Sequence, residues 1–199
     1  MLVIAVQTAA ATAQQLSWAG RRHDDEGTES TGEPTPAGLF DAVFHALHDG
    51  EQVAIGFDCP LTAAADQLDN SDPATLIARA GAVERGPGVE RLRHLVTELG
   101  MWRPWTIVTT SLPRWRATTS VLVWEAVPAP GAKVSPQAAI DAFYAMLGSG
   151  AQATADGATT AVLNLAAAAA VESGATADAA ELTAPVLRVP LAAELAVAP

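Results

Sequence analysis

An α/β fold is the architecture this sequence predicts, because short β-branched apolar runs alternate with stretches whose apolar residues recur at helical spacing. Composition agrees: 50% of the residues are hydrophobic and only 17% are charged, which separates the chain from disordered sequences. The length of 199 residues fits one unit with a sizeable core, so residues 1–199 are read as a single domain. Alanine supplies much of the apolar half and aromatics only 5%, leaving core volume to Leu, Val, Ile and five tryptophans.

The first element is the run 2–6 (LVIAV), continuous and β-branched, as expected of a strand buried on both faces. A small-residue turn leads to a second strand around 14–19, and the two are expected to form a hairpin. Residues 21–35 lose all hydrophobicity and collect five acids, which predicts a surface loop. From Pro36 the spacing of Leu39, Val43 and Leu47 predicts a helix, with Thr35 as N-cap, Pro36 in the first turn and Gly50 as terminator. QVAIGF (52–57) is the next strand, stopped by Asp58-Cys59-Pro60, because proline cannot continue a ladder.

Residues 61–100 read as alanine-rich helical turns interrupted at Ser71-Asp72-Pro73 and Gly86-Pro87-Gly88. Val89, Leu92, Leu95, Val96 and Leu99 then line a helix capped by Gly100. TIVTT (106–110) and SVLVW (120–124) are strands by β-branched content. Ser135-Pro136 opens a helix over 138–147, and 156–173 reads as the most apolar helix of the chain. The tail from 182 is expected to be weakly structured, with one edge strand before 191.

A net charge of −11 opposes non-specific attraction to polyanions or anionic lipid. Cys59, the single cysteine, excludes an intramolecular disulfide, and no Cys/His spacing suits structural zinc. The longest apolar stretches fall short of a bilayer span, and the opening run lacks basic residues and stops at Gln7, too early for a secretory h-region. A cytoplasmic protein without membrane contact is the expectation.

In parallel α/β sheets, ligands gather beyond the carboxyl ends of the strands. Gln7, Asp58 and Glu125 are each the first strong polar group after an apolar run, and Asn164 is the one amide in the apolar stretch 161–171. At these residues the chain resembles the RNase H-like superfamily, and within it the predicted nuclease family called domain of unknown function 429. VAIGFDCPL is similar to that family's strand followed by Asp-(small)-Pro-Leu, and SVLVWEAVPAP to its later strand-Glu-x-x-Pro segment. LVIAVQTAA with SWAG resembles its opening hairpin, with Gln7 where the family carries an acid; its last helix normally presents another acid, where this chain has Asn164 or, in another register, Ala161.

The resemblance implies a mixed sheet flanked by helices and a metal-dependent phosphodiesterase centre, with Asp58 and Glu125 as catalytic acids and Asp58, Glu125, Gln7 and Asn164 as metal ligands. Two-metal hydrolysis places cations about 3.5–4 Å apart and needs anionic oxygens around both. With two carboxylates and two neutral amides, the expectation is weak binding of Mg²⁺ or Mn²⁺ at a single site, and weakened or lost catalysis. A non-catalytic binding or scaffold protein is the competing reading.

Seven of the 11 basic residues fall between positions 79 and 116, interleaved with Trp102, Trp105 and Trp115. Arginine and indole together suit phosphate contact and base stacking, so nucleic acid or another phosphate-bearing ligand is expected here, at Arg103, Arg114, Arg116 and Trp115. Each of these features also has a structural explanation. Asp58 can accept turn N–H groups, the amides can be satisfied internally, and the tryptophans can fill an aromatic-poor core. Cys59 reads as a small buried hydrophobe, and His45 and His48 as neighbours on one helical face.

Overall fold

The computed structural model describes residues 1–8, 17–23, 29–30, 35–64, 72–82, 87–103, 105–118, 120–128, 135–149, 162–175 and 179–191. In chain order its elements begin with β1 (Leu2–Gln7), β2 (Ser17–Arg22), β3 (Glu29–Ser30), α1 (Pro36–His48), β4 (Val53–Phe57), β5 (Thr62–Ala64), α2 (Pro73–Ala82) and α3 (Pro87–Trp102). They continue with β6 (Ile107–Thr109), α4 (Leu112–Ala117), β7 (Ser120–Val127), α5 (Pro136–Gly148), β8 (Val162–Asn164), α6 (Leu165–Glu172), a 3-10 turn (Ala179–Thr183) and β9 (Leu187–Pro190).

The result is a mixed α/β architecture. The main sheet has the order β3-β2-β1-β4-β7-β6, with β9 also paired to β7. β1, β4, β7, β6 and β9 run parallel, while β2 is antiparallel to β1 and to β3. Period-2 alternation divides the central strands between two cores. Ile4, Val6, Val53, Ile55, Phe57, Val121 and Val123 join the larger one, which includes side chains of α1, α2, α3 and α6. Val3, Ala5, Ala54, Leu122 and Trp124 join the other, with α4 and α5. Burial on both faces is why these strands read as continuous apolar runs.

Helix starts follow their predicted caps. Thr35 accepts from the Gly38 N–H at 3.1 Å and Ser135 from the Ala138 N–H at 3.1 Å, each with proline in the first turn. Gly50 leaves α1 with φ +76°, a conformation that only glycine adopts without strain. Gly56 leaves room for the Trp124 indole, which stacks on Phe143 at 4.8 Å; a Cβ on Gly56 would collide with that ring.

Several boundaries differ from expectation. β2 starts at Ser17 and includes Arg21 and Arg22, because the hairpin register pairs Leu2 with Arg22; residues 14–16 lie outside the described residues. The expected loop 21–35 also contains β3, paired to Gly20 and Arg21. Gly100 does not cap α3. It lies inside the helix, where a Cβ would meet the Ser173 carbonyl oxygen at 2.8 Å, so its smallness serves close approach to the end of α6. The expected helix 156–173 is, over the described part, a strand followed by a shorter helix: Val162–Asn164 pairs with Thr62–Ala64, and α6 begins only at Leu165. Its residues 156–161 lie outside the described ones, as do 192–199 of the tail.

Candidate functional site

The carboxyl ends of β1, β4 and β7 form one rim. Val6 is level with Phe57, and Phe57 with Glu125, so Gln7 at the end of β1, Asp58 just past β4 and Glu125 lie near one rim; β7 runs on through Ala126 and Val127, paired with β9, so Glu125 stands inside the strand rather than after it as expected. One strand spacing and one residue of rise separate the Cα atoms of Asp58 and Glu125 by about 6 Å. Within β7, Glu125 follows Val121 and Val123 onto the α3/α6 face. Asp58 lies one residue past the end of β4, in the bend that leaves the strand.

Asp58 turns along the rim toward β1, where its Oδ1 accepts from both the backbone N–H and the hydroxyl of Thr8, each at 2.6 Å. Glu125 is 5% exposed. Its Oε2 accepts from the Leu61 N–H at 3.3 Å, and its Oε1 lies 3.3 Å from Nε of Arg188, the residue paired with it on β9. Cys59 follows Asp58 and lies within electrostatic reach of Glu125. Burial, foremost, and the charge of Asp58 push its thiol up to about 12, with Glu125 adding in the same direction against a hydrogen bond with Thr8. The start of α3 closes over this thiol, since a Cβ on Gly88 would collide with Cys59 Sγ and stand 3.0 Å from Thr8 Cγ2. The arrangement makes Cys59 a poor nucleophile at neutral pH.

Gln7 is paired with Ser17 in the hairpin and is partly buried. Asn164 is fully buried and engaged at both ends of its amide. Its Oδ1 caps α6 by accepting from Ala167 N–H at 2.9 Å, while Nδ2 donates to Thr110 Oγ1 at 2.9 Å and to the Ala184 carbonyl at 3.1 Å. It works as a helix cap and as a tie between β6 and the tail. Among the described residues, no group of three or more His, Cys, Asp or Glu side chains converges as a cation cage.

One carboxylate escaped sequence reasoning. Glu181, in the 3-10 turn, is buried beyond the end of β6. It accepts from Thr109 Oγ1 at 2.6 Å, Thr110 N–H at 2.7 Å, Thr110 Oγ1 at 3.2 Å and Arg114 Nη1 at 3.3 Å. Its sequence signal is slight: an acid among alanines and leucine, and a Thr-Thr-Ser run at a strand end. Nothing local joins the two.

The structure divides the basic segment. Trp115 is 1% exposed, with Nε1 donating to the carbonyls of Val53 at 3.0 Å and Ser120 at 3.1 Å. The expected ligand contact at Trp115 is therefore corrected: the ring fills the core beneath α4 and α5, and its N–H is already bonded to two carbonyls. Arg114 is ion-paired with Glu181. Arg103 precedes β6, and Arg116 lies in the last turn of α4 just before β7, so both stand at the amino ends of the strands, away from the acid rim. Arg85 lies outside the described residues. Beside Arg103, Met101, Trp102 and Trp105 are 64%, 64% and 68% exposed.

No protein-family model matches this chain, and neither a curated protein nor a solved structure matches it. No helix among the described residues is long and apolar enough to cross a membrane.

Proposed function

We propose that this chain is an RNase H-like protein whose metal-dependent phosphodiesterase centre has been reduced to Asp58 and Glu125, with catalysis weakened or lost. The observation that carries the reading is the sheet. An antiparallel hairpin is followed by parallel strands in the order β3-β2-β1-β4-β7-β6, and the two acids lie near one rim of adjacent strands, Asp58 one residue past β4 and Glu125 on β7 level with the last residue of β4. In that centre Asp58 and Glu125 would hold a single Mg²⁺ or Mn²⁺, a hard cation suited to carboxylate oxygens, with Gln7 beside them. The cation would supply charge for a phosphate oxygen and an activated water. Gln7 and Asn164 bring no charge for a second ion.

A specific observation favours the non-catalytic alternative. Both oxygens of Glu125 are occupied, by the Leu61 N–H and Arg188, and Asp58 is held by Thr8. Calorimetric titration with Mn²⁺ and cleavage assays on single- and double-stranded nucleic acid separate the readings. Weak binding of one cation, with slow hydrolysis lost in Asp58→Asn while the fold persists, supports the enzyme. Absence of both binding and cleavage in the parent supports the scaffold. Two tightly held cations per chain would refute the reduced centre.

A further inference from the structure

We infer that Arg188 is a cation built into the rim: its guanidinium takes the side of Glu125 at which a divalent metal would bind, so the two positive charges compete for one carboxylate. The inference rests on the reduced centre proposed above and adds what controls its occupancy.

Two short strands share one edge of β7. β6 pairs with Ser120–Leu122 and β9 with Trp124–Val127, both opposite the edge taken by β4. The carboxyl half of β7 is thus completed by the tail, which arrives from the Glu181 clamp and is fastened where the Leu191 N–H donates to the Val127 carbonyl at 2.9 Å. This register sets Arg188 directly beside Glu125. Leu187, Val189 and Leu191 face the α4/α5 core, so alternation turns Arg188 onto the face that carries Glu125. A slip of one residue would send it to the other side of the sheet.

Glu125 needs such a partner. A carboxylate so deeply buried is costly unless charge and hydrogen bonds compensate it, and here the Leu61 N–H and Arg188 Nε do so, each at 3.3 Å. Both contacts are longer than the ~2.7–2.9 Å of a strong charge-assisted bond, so the pair is exchangeable. The Arg188 side chain is 41% exposed, which lets the guanidinium swing toward water while the carboxylate stays in place. Arg114 also stands 3.3 Å from its acid, Glu181, but there Thr109 and Thr110 fill the other acceptor positions and leave none for a metal.

A hard divalent cation seeks the same anionic oxygens as the guanidinium. With Arg188 in place it meets a carboxylate whose charge is already offset, and a like charge beside it. At roughly 5 Å that repulsion lowers affinity by about tenfold even in the dielectric of water.

Calorimetric titration of the full chain with Mn²⁺ alone, and thermal melting with and without it, test the exchange. Arg188→Met keeps the apolar stem and removes the charge; Arg188→Gln is the second variant should methionine disturb folding. Each should bind one Mn²⁺ at least about tenfold more tightly than the parent, melt lower than the parent without metal, and gain more in melting temperature when Mn²⁺ is added. Binding by the variants alone supports the inference equally. Combining Arg188→Met with Glu125→Gln should remove the gain, and a gain that survives places the cation elsewhere and overturns the inference. Parent and variants that bind Mn²⁺ equally overturn it while leaving the reduced centre standing. A variant that binds Mn²⁺ no tighter yet loses affinity for a single-stranded oligonucleotide assigns Arg188 to phosphate contact, which overturns it as well. Absence of Mn²⁺ binding in the parent and in both variants refutes the reduced centre, and the inference falls with it.

Discussion

Two carboxylate sites occupy the carboxyl side of the sheet, and they are built differently. Glu181 is embraced by two hydroxyls, one backbone N–H and one guanidinium, the shortest of these contacts being 2.6 Å. Glu125 has one N–H and one guanidinium, both at 3.3 Å. The first is a saturated clamp binding the tail to β6 and, through Thr110, to the Asn164 cap of α6. The second is more loosely held beside a second acid and a thiol. A buried charge with a full complement of donors has little left for a ligand, whereas one with long contacts can exchange them. The difference separates the acid that builds the fold from the acids at which chemistry is proposed.

The largest expected effect belongs to the clamp. Glu181→Ala leaves Arg114, Thr109 and Thr110 without their common acceptor and should cost about 3–5 kcal/mol in denaturant unfolding. Glu125→Ala should cost less, about 2 kcal/mol, because fewer and longer bonds are lost. A loss at position 125 equal to that at 181 would erase the contrast.

The thiol of Cys59, which feels both rim acids, sharpens it further. Unfolded Cys59 gives up its proton near 9.0, whereas the folded thiol keeps it to about 12. Across that window the unfolded state binds fewer protons, so stability falls as pH rises, and Cys59→Ala should flatten the decline in pH-dependent melting. An unchanged slope would mean that burial and the neighbouring acids do not hold the proton on this thiol. The smallest effect is at Asp58. Asp58→Asn should cost about 1 kcal/mol alone, yet it should abolish the small rise in melting temperature that Mn²⁺ gives the parent. A rise of the same size in the variant would place the cation elsewhere.

Much of the scaffold was legible because its signals are local. β4 and β7 announce themselves as β-branched runs, although β7 runs past Glu125 to Val127, and α1 and α5 by a hydroxyl cap before proline. The misreadings are all matters of partnership. Val162–Asn164 is alanine-rich helix by composition but becomes strand because Thr62–Ala64 lies ready to pair with it. Trp115 resembles a ligand-binding aromatic among arginines until its N–H is seen between Val53 and Ser120. Glu181 has no local feature that marks it as buried.

From the amino-acid order alone came the alternation of strands and helices, the caps, and the polar residues Gln7 and Asp58 at the ends of β1 and β4, since each depends on neighbours a few positions away. Only tertiary structure decided which acid is a clamp and which stands at a rim, which tryptophans are pillars and which face water, and that Asn164 caps α6. The clamp, the rim and the pillars depend on partners 50 or more residues away, as Thr8 is to Asp58 and Thr110 to Glu181; the cap itself, Asn164 to Ala167, is local, but Thr110 fixes the other end of its amide.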